Sequence, residues 1–203
     1  MERFFCVLIG YACGSFLTAD AVARWKSGKS AFDVGSGNPG MANIGHVFGF
    51  GCAAVTLLGD ILKTVLACLL CRLALFPSLG KVAILYAGAG ASLGHGFPFW
   101  HRFRGGRSVA VSCTYLILFS PLIGAAAELA GLCSAALTGY LSIGAALIPL
   151  LYLYPAFRLY GMEAGLVSLA GAAVMLLLNR DSLLRLFHGT EPKAALFHGR
   201  KKN

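Results

Sequence analysis

The stretch FFCVLIGYACGSFLTADAVA, residues 4–23, is long and apolar enough to cross a lipid bilayer as one helix. It lacks a convincing small-residue cleavage context, so we interpret it as a first membrane span and not as a signal peptide. Apolar stretches of this kind recur along the whole chain. Of the 203 residues 58% are hydrophobic and only 12% are charged, and the mean hydropathy is +0.75. These values predict an all-α integral membrane protein.

The thickness of a bilayer predicts about seven transmembrane helices, which we assign to a single domain over residues 1–203. Several later spans are short, and prolines at 121, 149 and 155 leave their boundaries open, so six spans remain an alternative. The predicted spans are 4–23, 50–76, 80–99, 108–123, 125–140, 142–157 and 160–178.

The distribution of cations predicts the orientation, because Lys and Arg near span ends are retained in the cytoplasm. Twelve of the 17 Lys and Arg residues follow the first, third or last predicted span. With an odd number of spans, these segments are all cytoplasmic if the N-terminus is outside and the C-terminus is cytoplasmic. The twelve are Arg24, Lys26, Lys29, Arg102, Arg104, Arg107, Arg180, Arg185, Lys193, Arg200, Lys201 and Lys202.

The formal net charge of +9 does not indicate a nucleic-acid partner, since the cations lie at span ends and no separate basic domain exists. They favour contact with the lipid bilayer instead. Seven cysteines are spread through the predicted spans without a His-rich or electropositive surrounding. We interpret them as small apolar residues and predict no metal site.

Two glycine-rich segments carry the candidate chemistry. GSGNPGMAN, residues 35–43, permits positive φ angles and inward-facing backbone N–H groups, which favour an anion, although a flexible turn is an alternative. GHGFPFWHRFRGGRSVA, residues 94–110, joins a glycine pair to arginines at the start of a predicted helix. Two such loops on one predicted face favour a phosphorylated ligand over two unrelated turns.

These segments, together with GDILK, YLSIGA and NRDSLLRLFHGTEPK, resemble in order and spacing the bacterial membrane acyl-phosphate:glycerol-3-phosphate acyltransferases. The resemblance spans essentially the whole chain. It implies a multi-pass enzyme of the bacterial plasma membrane, with seven helices and an active site that faces the cytoplasm. The His-x4-Asp motif of other glycerolipid acyltransferases is missing, because none of the five His residues has Asp at that spacing.

The resemblance implies that an acyl group moves from acyl phosphate to the 1-hydroxyl of glycerol 3-phosphate, giving lysophosphatidic acid and phosphate. It implies no cofactor and no covalent acyl-enzyme, with substrate phosphate helping to take the hydroxyl proton. We expect a monomer. Because an acyl phosphate is already activated, the enzyme mainly has to orient two anionic substrates and stabilise charge.

Matching the family's motifs residue by residue gives the expected site. The resemblance implies catalytic roles for Ser36, Ser142, Arg107 and Asn179. It implies substrate binding by Gly35, Gly37, Asn38, Asn43, His46, His95, Arg104, Gly105, Gly106, Ser182, Arg185 and Glu191.

Several positions depart from the family pattern. An active-site arginine is His46, and the glycine that ends the second loop is Ser108. The loop lysine is Arg107, which keeps the positive charge. The family's histidine and asparagine in the last motif align with Asn179 and Ser182, and Asn179 keeps a hydrogen-bonding group without the charge. A catalytically impaired paralogue, acting as a lipid-binding or accessory membrane protein, is therefore an alternative.

Transport is a further alternative, since Asp60 and Lys63 lie three residues apart within the second predicted span. The same spacing is typical of an internal ion pair. The sequence contains no inverted repeats, which disfavours a transporter.

Overall fold

The computed structural model describes residues 1–194, and the cations Arg200, Lys201 and Lys202 lie outside the described residues. Within that range the chain forms helices and turns and contains no strand. It divides into two compact units, Met1–Phe119 and the residues from Ser120 onward. The helices are α1 Glu2–Gly14, α2 Thr18–Ser27, α3 Met41–Phe48, α4 Phe50–Leu69, α5 Val82–Gly96, α6 Val109–Phe119, α7 Pro121–Thr138 and α8 Leu141–Phe187.

In the first unit, α1 and α5 pack against each other through glycines. A Cβ atom added at Gly10 or Gly14 would collide with the backbone of Ala87 or Ala91 in α5. In the other direction, a Cβ atom at Gly90 would collide with the carbonyl of Val7. Small residues let two helices approach closely where apolar burial alone cannot drive association, as in a bilayer.

The first predicted span is interrupted between α1 and α2 at residues 15–17. Leu17 is extended, with φ −94° and ψ 97°, which leaves carbonyl groups outside the helical hydrogen-bond ladder. Trp100 Nε1 donates to the Ser15 carbonyl at 3.0 Å, and Lys63 Nζ donates to the Phe16 carbonyl at 2.7 Å. Side chains from distant parts of the first unit thus stabilise the break.

The helix α3 lies in a segment for which the sequence predicts no helix. It follows the first glycine loop and turns into α4 at Gly49, whose φ is 89°. Ile44 of α3 packs with Ala19 and Ala23 of α2 and with Ala31 and Cys52. Val34, which directly precedes the glycine loop, packs against this small apolar core.

The predicted span 50–76 corresponds to α4 and a π-helical continuation, Leu70–Leu75. The predicted span 80–99 is shorter in the structure, since α5 ends at Gly96. Phe97 precedes a proline and leaves the helical conformation, with φ −132° and ψ 56°, because a residue before proline disfavours that conformation.

In the second unit, α8 contains both of the last two predicted spans. Gly161 has φ 87° and ψ 178°, which breaks α8 into segments 141–160 and 162–187. A Cβ atom at Gly165 would collide with the ring of Phe157, so the two segments fold back on each other. On α7, Gly131 packs in the same way against Ile148 of the first segment.

By length and apolar composition, four helical stretches are able to cross a membrane: Glu2–Ser27, Phe50–Leu75, Pro121–Thr138 and Leu141–Phe187. An all-helical fold with several apolar helices is therefore confirmed. The count of seven spans, the orientation of the termini and the assignment of residues 1–203 to one domain stay predictions.

Candidate active site

The first glycine loop is held in shape by Asn43, from the first turn of α3. The side chain of Asn43 is only 4% exposed. Its Oδ1 accepts a hydrogen bond from the N–H of Ser36 at 2.8 Å, and its Nδ2 donates to the carbonyl of Val34 at 3.0 Å. Gly35 has φ +56°, and a Cβ atom there would collide with Asn43 Oδ1. Asn43 therefore acts as a scaffold for the loop.

The crest of this loop presents polar side chains outward. Ser36 is exposed and Asn38 is half-buried. Several of the loop's N–H groups are engaged internally: Gly37 donates to the carbonyl of Val34, and Gly40 donates to that of Asn38. The prediction of an anion site in this loop thus depends more on the side chains than on inward-facing amides.

The second loop, residues 97–108, folds back onto the end of α5. The N–H of Gly106 donates to the carbonyl of His95 at 3.0 Å. A Cβ atom at Gly105 would collide with that same carbonyl. The two arginines that flank the glycine pair in sequence are Arg104, which is exposed, and Arg107, which is half-buried.

The two loops meet within the first unit. A Cβ atom at Gly106 would lie 3.0 Å from the carbonyl oxygen of Pro39 and would collide with the ring of His95. The pairing of the two loops that the sequence predicts is therefore present in the fold. By contrast, His46 lies exposed on the last turn of α3.

A buried polar cluster supports the second loop. Lys63 Nζ lies 2.7 Å from Asp60 Oδ1 and 2.8 Å from His95 Nδ1. Thr18 Oγ1 donates to Asp60 Oδ1 at 3.3 Å. The spacing of Asp60 and Lys63 has two interpretations, a transport path and an internal ion pair. In the structure the two residues form the ion pair.

Sequence reasoning missed Asp20, which organises the start of the first loop. Asp20 is buried, at 5% exposed, and its carboxylate accepts hydrogen bonds from Ser30 Oγ and from the N–H of Ala31 at 2.9 Å. Arg24 Nε lies 2.7 Å from its other oxygen. The available signal was a lone acidic residue in an otherwise apolar segment.

Ser108, which departs from the family's glycine, keeps a left-handed backbone with φ +56°. Its hydroxyl donates to the carbonyl of Ser92 at 2.8 Å. That hydrogen bond is worth about 1 kcal/mol, which offsets a strain of about 1–2 kcal/mol for a left-handed residue with a Cβ atom.

This balance predicts how two substitutions at Ser108 differ. We expect Ser108→Ala to lower the melting temperature by about 2–4 °C, because the strain stays and the hydrogen bond is lost. Ser108→Gly removes both the strain and the hydrogen bond. It should change the melting temperature by less than half as much as Ser108→Ala does. Thermal unfolding in detergent micelles measures the difference. Equal effects of the two variants would contradict the assigned backbone strain.

In the second unit, the predicted residues fall into two sets. Ser142, in the first turn of α8, is 2% exposed, and its hydroxyl has no hydrogen-bond partner among the described residues. Asn179 is also buried and donates to the carbonyl of Met175 at 2.8 Å.

The second set links the end of α8 to the tail that follows it. Arg185 Nε donates to Glu191 Oε2 at 2.7 Å, and its Nη2 donates to Ser182 Oγ at 2.9 Å. Ala194 N donates to the carbonyl of Gly139 at 2.8 Å, so the tail returns to the start of α8. The structure thus brings Ser182, Arg185 and Glu191 together.

Fold and site together define a class: an α-helical integral membrane protein in which two glycine-rich loops meet, one of them containing arginines on either side of its glycine pair. The comparison with known families is more specific. The chain belongs to the glycerol-3-phosphate acyltransferase family, whose sequence model matches residues 4–189.

Similar proteins agree with this assignment. Glycerol-3-phosphate acyltransferase 1 of Lactobacillus acidophilus is 35% identical over 202 residues, covering 100% of this chain and 97% of that protein. The glycerol-3-phosphate acyltransferase of Synechococcus elongatus is 33% identical over 196 residues, covering 92% and 91%.

Two solved structures share the fold. The glycerol 3-phosphate form of PlsY (YgiH), an integral membrane glycerol 3-phosphate acyltransferase, superposes with a TM-score of 0.84 at 23% identity and covers 97% of this chain and 98% of that one. Its lysophosphatidic acid form gives 0.83 at 22% identity, with coverage of 98% and 100%.

Proposed function

We propose that this protein transfers a fatty acyl group to the 1-hydroxyl of glycerol 3-phosphate, giving lysophosphatidic acid, with acyl phosphate as the donor. Family membership and the names of its relatives support the acyl transfer and the acceptor. The observation that carries the proposal is the contact between the two glycine loops, of which the first contains Ser36 and the second contains Arg104 and Arg107.

The reaction needs orientation more than a dedicated base. The 1-hydroxyl oxygen attacks the acyl carbonyl carbon, the new ester bond forms, and the bond from that carbon to the phosphate oxygen breaks. Inorganic phosphate leaves and takes up the hydroxyl proton. Arg104 and Arg107 are suited to bind phosphate oxygens, because guanidinium groups donate paired hydrogen bonds to such anions.

The individual roles remain those that the resemblance implies. In the first unit, Ser36 and Arg107 are catalytic, and Gly35, Gly37, Asn38, His46, His95, Arg104, Gly105 and Gly106 bind substrate. Asn43, for which the resemblance implies substrate binding, contributes by holding the first loop in shape. In the second unit, Ser142 and Asn179 are catalytic, and Ser182, Arg185 and Glu191 bind substrate. The buried hydroxyl of Ser142, which has no partner among the described residues, supports a role in contacting a ligand.

We further propose a monomer in the bacterial plasma membrane, with seven spans, an outside N-terminus and an active site that faces the cytoplasm. The cations at span ends support this orientation, because both glycine loops belong to segments rich in Lys and Arg.

The test is phosphate release by detergent-purified protein given palmitoyl phosphate, with and without glycerol 3-phosphate. We expect release that requires the acceptor and yields lysophosphatidic acid. Ser36→Ala should lower kcat/KM about tenfold, the cost of one lost hydrogen bond at the loop crest.

The alternative of an impaired paralogue makes a different prediction. A protein that binds glycerol 3-phosphate but releases no phosphate from palmitoyl phosphate would support an accessory role. A protein that neither binds the acceptor nor turns over would contradict the proposed substrate.

A further inference from the structure

We infer that Lys63 holds His95 as the neutral tautomer with its proton on Nε2, so that His95 presents an N–H donor to the phosphate group bound at the glycine loops. Lys63 is in this sense a positioning residue. The inference rests on the proposed function for the identity of the ligand, whereas the tautomer itself follows from contacts within the first unit.

The ammonium group of Lys63 is surrounded by three hydrogen-bond partners. Its Nζ lies 2.7 Å from Asp60 Oδ1, 2.7 Å from the carbonyl oxygen of Phe16 and 2.8 Å from His95 Nδ1. An ammonium group has three N–H donors and no acceptor. Each donor therefore has one partner, and the group is fully satisfied.

The charge of Asp60 requires that Lys63 be protonated. Asp60 is 3% exposed and Lys63 is 8% exposed. A carboxylate buried so deeply is costly unless a positive charge lies beside it. A neutral Lys63 amine would leave the carboxylate without that counter-charge.

The tautomer follows from this charge state. Because the Lys63 ammonium only donates, His95 Nδ1 must be the acceptor and carries no proton. The neutral imidazole then carries its proton on Nε2. His95 is 4% exposed, so its ring has no freedom to turn without breaking the packing around it.

The Nε2 edge faces the second glycine loop. A Cβ atom at Gly106 would collide with His95 Nε2, so the loop backbone packs directly against this edge. The structure gives Nε2 no hydrogen-bond partner within residues 1–194, while the carbonyl of His95 accepts from the N–H of Gly106. An N–H donor beside an arginine-flanked glycine pair is suited to an anionic oxygen of a phosphate group.

The tautomer can be observed without any activity. Nitrogen-15 NMR of histidine-labelled protein in detergent separates the two neutral tautomers from the imidazolium, and loss of one signal in His95→Gln assigns His95. We expect a protonated Nε2 and an unprotonated Nδ1 near neutral pH. A protonated Nδ1, in the other tautomer or in an imidazolium, would overturn the inference.

Two substitutions separate the roles of the ring nitrogens in catalysis. The amide nitrogen of Gln reaches the place of Nε2, whereas that of Asn reaches the place of Nδ1. We expect His95→Asn to raise the KM for glycerol 3-phosphate or for palmitoyl phosphate about 30-fold. His95→Gln should raise the same KM only about threefold. The difference between the two variants corresponds to one hydrogen bond to a charged group. His188→Gln, at an exposed histidine of the second unit, is the control and should leave both values unchanged.

The outcomes distinguish the two hypotheses. If the wild-type protein turns over neither substrate while NMR shows the Nε2 proton, the proposed function fails and the tautomer assignment stands. If the protein is active and the Asn and Gln variants are equally impaired, the donor role of His95 is wrong although the acyltransferase function holds.

Discussion

Replacing Lys63 by Met should destabilise the protein by about 3–5 kcal/mol, the cost of leaving a buried carboxylate without its partner. The reason is that Asp60 is 3% exposed and has its counter-charge 2.7 Å away. The substitution also removes the donor to the Phe16 carbonyl at the break between α1 and α2. For a chain of this length, such a loss corresponds to a melting temperature lowered by roughly 10 °C. Thermal unfolding in detergent micelles measures it.

A double variant tests whether the charge is responsible. Asp60→Asn combined with Lys63→Met removes both charges, so we expect it to recover much of the stability that Lys63→Met loses. If the double variant is as unstable as the sum of the two single variants, the ion pair is not the source of the effect.

Replacing Gly106 by Ala should lower kcat/KM about 100-fold, since a misplacement of about 1 Å in a positioning element costs about that much. The added Cβ atom would collide with the ring of His95 and would lie 3.0 Å from the Pro39 carbonyl oxygen. Neither neighbour is a flexible side-chain end, so the two loops have to separate. Phosphate release with palmitoyl phosphate and glycerol 3-phosphate measures the loss.

The matched control is Gly51→Ala. Gly51 lies in α4, and nothing is within 4 Å of the position that its Cβ atom would take. We expect this variant to keep its activity within about twofold, because alanine is the better helix former. Retained activity in Gly106→Ala, or an equal loss in both variants, would contradict the close packing of the loops.

The helices were predictable from the sequence because apolar composition at bilayer length is a strong local signal. Each predicted span contains a helix in the structure. The break at residues 15–17 was not predictable, because its carbonyls are satisfied by Trp100 and Lys63, which are distant in sequence. The helix α3 was missed for a related reason: it is short, and its apolar face is stabilised by packing on α2.

For the candidate site, sequence reasoning identified both glycine loops and their arginines, since composition and the family resemblance mark them. It did not identify how the loops are held. Asn43 was expected to bind substrate, and the structure shows its side chain bonded to the loop backbone. Asp20 and Ser30, ten residues apart, meet only through the folding of α2 onto the turn at Ala31–Asp33.

The break between α1 and α2 also constrains how the chain is assembled during synthesis. The carbonyls of Ser15 and Phe16 receive their donors from residues that lie 85 and 47 positions later. A buried carbonyl without a donor is costly. The donors that the final conformation of the N-terminal segment requires therefore exist only after α4 and the loop after α5 have been translated, although the segment itself is synthesised first.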